Sequence, residues 1–176
     1  YLLKAKWLTE KVLADFGDEE TPYCWYTPAG QKDIIVRKKE VYDGAVPSGN
    51  AMMAYNLLYL SMIFDLREWG ERATRMVQLM DSAIIRYPSS FGVWAAVIQL
   101  LTTGFVEIAI TGSGAVEGSR KFIRHFMPNK ILQSAVYSPG DFPLLNGKFD
   151  AGGKTQYFFC NNYACQAPVD SVNALV

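Results

Sequence analysis

The chain has 176 residues, half of them hydrophobic and 19% charged, which is enough for one good core or two small ones and excludes a disordered chain. Lysine plus arginine equals aspartate plus glutamate, 17 against 17, so no net positive field exists to hold nucleic acid or an anionic membrane. No apolar run approaches the roughly 20 residues of a spanning helix, and the opening YLLKAKWLTE carries charges too often for a secretory leader.

Leu3, Trp7, Leu8, Val12 and Phe16 recur at helical spacing and predict an amphipathic first helix. Because Tyr1 already lies in that pattern, the chain reads as a piece of a longer protein. The parent's missing N-terminal domains are then expected partners. Tyr23–Tyr26 and Ile34–Val36 are short β-prone runs around Pro28, Ala29 and Gly30, which predicts a hairpin. A second helix is expected from Ser48 to Phe64, apolar on more than one side because of Leu57, Leu58, Leu60 and Met62.

Asp65 followed by Glu68 has the spacing of a capping box opening a third helix, whose buried stripe would be Trp69, Ala73, Met76, Val77, Met80, Ala83 and Ile84. Ser89 or Ser90 then caps a fourth helix bearing Phe91, Trp94, Ala95 and Ile98. Short connections between helices imply α-hairpins, and hairpins with an uncovered apolar face need further hairpins or a second copy to cover them. A homo-oligomer is therefore expected.

After Gly104 the pattern becomes β-α-β. Val106–Ile110 and Ile131–Val136 read as parallel strands around a helix over Ala115–Phe126, with Phe122, Ile123 and Phe126 on one face. Tyr157–Cys160 reads as a third strand, Pro139–Gly153 as an ordered surface loop, and Asp170 as the cap of a short helix over Ser171–Leu175. The fold class expected is α+β, with helical hairpins over residues 1–103 and a small βαβ-containing subdomain over residues 104–176.

The densest polar stretch is Glu40–Asn50, EVYDGAVPSGN. Glu40 and Asp43 are candidate catalytic carboxylates for acid–base work at a glycosidic centre. Tyr42, Ser48 and Asn50 are candidate ligand-binding groups, and Trp25 and Tyr26 are candidate stacking platforms for a sugar ring. The plainer reading is that Ser48 caps the following helix and Asp43 satisfies loop amides.

Gly112, Gly114 and Gly118 resemble a loosened dinucleotide-binding turn, but the strand ending at Val136 lacks the required acid, and no nucleotide is expected. Cys160 and Cys165 flank NNYA, a spacer wrong for a thioredoxin-type pair and loose for zinc. They are redox or metal candidates, set against two packed structural cysteines. Three cysteines suggest no disulfide framework, and a reducing, cytoplasmic address is expected. His125 is the only histidine and complements a helix C-terminus; no metal and no cofactor are expected.

The run IIVRKKEVYDGAVPSGNAMMAYNLLYL and the ending FFCNNYACQAPVDSVNAL, with EIAITG and PNKILQSAV between them, resemble the YyaL-type family, bacterial relatives of the spermatogenesis-associated thioredoxin-domain proteins. The resemblance implies a thioredoxin-like domain joined to an (α/α)6 toroid of the six-hairpin glycosidase type, with a small α/β piece following. The present chain would hold the later toroid helices and that piece. It also implies a signature loop at Glu40, Tyr42, Asp43, Gly44, Pro47, Ser48, Gly49 and Asn50, and an end motif at Cys160, Cys165, Gln166 and Pro168. The run DEETPYCWYT departs from the glycine-rich aromatic stretch usual before the loop. A carbohydrate ligand follows from fold analogy, and a scaffold supporting the thioredoxin-like domain is the alternative.

Overall fold

The computed structural model describes residues 1–161 and 164–175. The protein is α+β and divides into two compact units, Tyr1–Leu101 and Thr102–Val176. Among the described residues no helix is long and apolar enough to cross a membrane.

The first unit is helical. Its elements are α1 (Leu2–Phe16), α2 (Gly49–Phe64), α3 (Arg67–Gln78), α4 (Asp81–Arg86) and all but the last two residues of α5 (Gly92–Thr103). Helix α2 supplies the core: Ala51, Ala54 and Leu57 are fully buried, and Ile63 and Leu60 nearly so. An all-round apolar helix is stable only when covered on several sides. Helix α3 covers one of them closely, because Gly70 has no side chain. A Cβ there would lie 3.1 Å from Ser61 Oγ.

The joint between α2 and α3 corrects the predicted capping box. Asp65 ends α2 instead of opening α3. It adopts the left-handed conformation (φ 53°), and its N–H donates to Ser61 O. Aspartate tolerates that region better than most residues. The expected long third helix is also broken. Met80 N donates back to Val77 O, a tightened i→i−3 bond, and α4 starts anew at Asp81.

Two further readings change. On α1 the stripe Leu3, Trp7 and Leu8 is exposed, while Thr9 is the buried residue. The predicted hairpin does not form. Residues 17–48 contain no strand, only an isolated antiparallel bridge between Gly17 and Cys24, and Ile35 is fully exposed. The β-prone aromatics serve packing instead. Tyr23 Oη donates to Met76 O at 2.9 Å, and its ring meets the fully buried Trp94 edge-on. Burial pushes the Tyr23 phenol up to about 12.

An ion pair fixes the start of this belt. Lys39 Nζ and Thr21 Oγ1 both donate to the Asp18 carboxylate. The Lys39 hydrogen bond, then that of Thr21, holds the Asp18 carboxyl well below the usual carboxylate range. A depressed carboxylate stabilises the fold above its ordinary value near pH 4, and this contribution fades as pH falls toward the depressed value. Asp18→Asn should therefore lower the melting temperature at pH 7. The difference from the native chain should shrink steadily below about pH 4. Thermal melts from pH 7 to pH 2 check this, and a pH-independent difference would contradict it.

The second unit holds β1 (Val106–Thr111), α6 (Ala115–Phe122), β2 (Lys130–Ala135), β3 (Gln156–Asn161) and β4 (Ala164–Cys165), in the sheet order β2-β1-β3-β4. Strands β1 and β2 are parallel in the register Val106↔Lys130, with α6 as their crossover; β3 and β4 are antiparallel. Ile108, Ile110, Ala115 and Phe122 are fully buried and form the core with Tyr157 and Val172. Helix α6 is shorter than expected. Arg124 N–H and His125 N–H donate to Lys121 O and Phe122 O, closing the helix in a tight turn, so Ile123 and Phe126 face solvent. The C-terminal helix is a single 3-10 turn, Val172–Ala174, capped by Ser171 and not by Asp170. The loop over 139–153 buries Leu144 and Leu145 through a further 3-10 turn.

Candidate functional site

Glu40–Asn50 crosses the N-terminal ends of two helices, and its polar side chains divide between architecture and cleft. Asn50, in the first turn of α2, is buried and satisfied on both sides of its amide. Its Oδ1 accepts from Cys24 N at 2.7 Å, and its Nδ2 donates to Cys24 O (2.9 Å) and Glu40 O (2.8 Å). It therefore ties the 24–26 segment and the Glu40 loop to the helix.

Ser48 is the N-cap of α2, its Oγ accepting from Ala51 N. Asp43 does the same work for a distant element. One carboxylate oxygen accepts from Ser48 N and the other from Val93 N in the first turn of α5, each at 2.9 Å. The expected cap at Ser89 or Ser90 is thus replaced by a carboxylate from 50 residues away, where the helix dipole favours negative charge. Tyr42 packs edge-on against Phe91, and its hydroxyl accepts from Ser90 Oγ.

Glu40 is placed differently. Its Oε1 accepts from Tyr42 N, and the residue lines an open cleft of about 300 Å³ with Trp25, Tyr26, Asn50, Cys24 and Phe16. Val12, Gly49 and Met53 complete the walls. Of the sequence-predicted residues, the structure brings Glu40, Trp25, Tyr26 and Asn50 to one cleft. It does not bring Asp43, Tyr42 or Ser48 to it. Glu40 is the one carboxylate in the cleft lining among the described residues.

The Trp25 ring carries two cations, Lys39 Nζ at 4.3 Å and Arg37 Cζ at 4.7 Å from its centroid, while Tyr26 stands exposed at the rim. Cys24 is a free buried thiol. Burial pushes its pKa up, and nearby Arg72 opposes that in part. A thiol so raised is a packing group and not an activated nucleophile.

No protein-family model matches the chain, and no solved structure matches it. Curated relatives do. The chain is 23% identical over 146 residues to spermatogenesis-associated protein 20 of Rattus norvegicus, covering 78% of this chain and 18% of that protein. The human protein of the same name is 24% identical over 145 residues, covering 77% and 18%. An uncharacterised protein of Caenorhabditis elegans is 23% identical over 150 residues, covering 82% and 21%. The similarity is distant and consistent with the spermatogenesis-associated protein 20 family. The chain spans about a fifth of the length of these relatives.

Sequence reasoning missed the contribution of α1 and Cys24 to the cleft. Val12 and Phe16 were visible as an i, i+4 apolar pair, but nothing local marks a pair as lining a cleft instead of filling a core. In the second unit Cys160 and Cys165 are neither metal ligands nor two separate thiols. They face one another across β3 and β4 and form a disulfide, which corrects the reading drawn from an odd cysteine count. Asn162 and Tyr163, within the same C-terminal motif, lie outside the described residues.

The three glycines after β1 have structural partners. A Cβ on Gly112 would lie 2.4 Å from Lys154 O, and one on Gly114 would lie 2.7 Å from Thr155 Oγ1, which accepts the Gly114 N–H. The turn that resembled a phosphate cradle is filled by the chain's own residues 154–155.

Proposed function

We propose that the Tyr1–Leu101 unit binds a small polyhydroxylated ring, of the carbohydrate class, in the cleft beside Glu40. The observation that supports this is the pairing of an exposed aromatic at the rim, Tyr26, and a cation-stacked Trp25 in the wall with one carboxylate in a largely apolar cleft of about 300 Å³. Sugar rings present an apolar face that stacks on aromatics and hydroxyls that donate to carboxylates. Glu40 Oε1 is held by Tyr42 N, which orients the second oxygen as an acceptor.

Binding fits this geometry better than hydrolysis. Glycoside hydrolysis ordinarily requires two carboxyl groups flanking the scissile bond. For Asp43 to join Glu40 in catalysis, it would have to abandon the amides of Ser48 and Val93. In the same reading the helices are the closing hairpins of a larger α/α toroid in the parent protein. The α2–α3 hairpin and the five-fold greater length of the relatives support that finer assignment.

Saturation-transfer NMR with a panel of mono- and disaccharides tests the proposal on the whole chain. At least one sugar should give saturable transfer. Glu40→Gln should weaken its binding roughly 10-fold or more, as expected for loss of a charge-assisted hydrogen bond. Silence across the panel, or binding unaltered by Glu40→Gln, would overturn it.

A second reading, an interaction module, draws on α1. Its Leu3, Trp7 and Leu8 are each about half exposed on adjoining positions, an apolar patch over which Lys4 Nζ lies 3.5 Å from the Trp7 ring centroid.

A further inference from the structure

The second unit carries a cationic cavity unrelated to the Glu40 cleft. Its volume is about 410 Å³, and its lining sets Lys121, Arg124, His125, Tyr157 and Asn173 beside one carboxylate, Asp170. We infer that this cavity is a phosphate-binding site, taking the phosphate group of a small phosphomonoester or free phosphate.

Three observations support it. The first is charge. Lys121 and Arg124 have no ion-pair partner among the described residues, and the nearby acids are engaged elsewhere: Asp170 by Lys154 at 2.8 Å and Glu117 by Arg120 at 4.0 Å. The cations are also not consumed in capping α6. Its Lys121 and Phe122 carbonyls accept from the Arg124 and His125 amides. A bare helix C-terminus would repel an anion, and this end is already closed.

The second is a phenol donor without a partner on the cavity wall. Tyr157 is 8% exposed, lines the cavity, and its hydroxyl has no hydrogen-bond partner among the described residues. The hydroxyl reaches α6 at Gly118, where an added Cβ would lie only 2.7 Å away. Gly118, Lys121 and His125 follow one another along that face of the helix and its terminal turn, so the phenol sits at one end of the cationic row.

The third is rigidity. Phe122 and Val172 lock the two walls into the same core, and Tyr157 exchanges both backbone hydrogen bonds with Val169. The wall at 170–173 is therefore fixed to the strand that carries the phenol. Two cations, an imidazole, a phenol and the Asn173 amide around one cavity, whose one carboxylate is paired with Lys154, suit a doubly charged tetrahedral oxyanion better than a planar carboxylate.

Amide-detected NMR titration of the 176-residue chain at constant ionic strength tests this, with inorganic phosphate, glycerol phosphate and acetate as probes. Saturable shifts confined to residues 121–125, 157 and 170–173 are expected with both phosphates, and acetate should bind at least 10-fold more weakly. Tighter binding of the ester would assign the source to a phosphorylated metabolite, and tighter binding of inorganic phosphate to the free ion. Tyr157→Phe keeps the ring and removes the donor; it should weaken binding about 5- to 10-fold while leaving the spectrum dispersed. Lys121→Ala with Arg124→Ala, both exposed, should abolish saturation. Shifts that do not saturate, that acetate reproduces, or that survive the Lys121/Arg124 pair of substitutions would overturn the site.

Discussion

Gly112→Ala should unfold the Thr102–Val176 unit. Gly112 ends β1 with φ of 96°, a region that L-residues enter only at a cost, and a Cβ there would sit 2.4 Å from Lys154 O and 2.8 Å from its carbonyl carbon. Both obstacles are backbone, so no rotamer relieves them. Strain and overpacking together are expected to cost about 4 kcal/mol or more, which rivals the whole stability of a small domain. Loss of amide dispersion for residues 102–175, with the helical signal of the first unit retained, is the expected result. Gly114→Ala provides the calibration. Its obstacle is the Thr155 hydroxyl, a side chain that can turn away at the loss of one hydrogen bond, so about 1–2 kcal/mol is expected. Equal, small effects at both glycines would show that the turn adapts.

The second large effect is expected at Asn50. Asn50→Ala leaves two buried backbone groups, Cys24 N–H and Cys24 C=O, and the part-buried Glu40 C=O without their partners. An orphaned buried group costs about 1–3 kcal/mol, and partial rescue by water is expected for the Glu40 carbonyl, so a total of about 3–5 kcal/mol is reasonable. For a unit of this size each kcal/mol shifts the midpoint by about 4–8 °C, so thermal unfolding of the first unit should fall by roughly 12 °C or more. Asn50→Asp separates the two halves of the amide. It keeps the acceptor for Cys24 N–H but turns a carboxylate oxygen toward two carbonyls, and it should be less damaging at low pH, where the carboxyl can donate. A midpoint change under 3 °C for Asn50→Ala would mean the belt is held by other contacts.

In the structure the polar groups of Glu40–Asn50 divide between a cleft and two helix ends. Composition shows that the stretch is too polar for a simple connection. It cannot show which polar group serves a ligand and which serves a helix end, because the deciding partners are remote. Asp43 meets Val93, and Asn50 meets Cys24. Helix α2 was legible to within a residue because a long, mostly apolar run and a serine cap leave few alternatives. The start of α3 was not. Asp65 and Glu68 have capping spacing, yet the same aspartate also suits the left-handed turn that ends α2. The 23–36 hairpin failed for a related reason. Its β-prone residues had better use against Met76 and Trp94 than against one another. The parallel β1–β2 pair was legible because a buried strand, a crossover helix and a second strand admit few other topologies. The disulfide was hidden because pairing depends on register, here Cys160 opposite Cys165, and a cysteine count carries no register.

Asp43 also bears on the order in which the first unit can assemble. The bonds that fasten residues 17–48 to the helices join positions far apart in the chain: Asp43 to Val93, Trp94 to Val41, Arg72 to Pro22. The α2–α3 hairpin, by contrast, closes over a two-residue link. Loop-closure entropy must be met before distant contacts can return any stabilisation. The hairpin is thus the natural nucleus. The belt carrying Glu40 is expected to dock onto it late, when the single carboxylate of Asp43 ties the start of α2 to the start of α5.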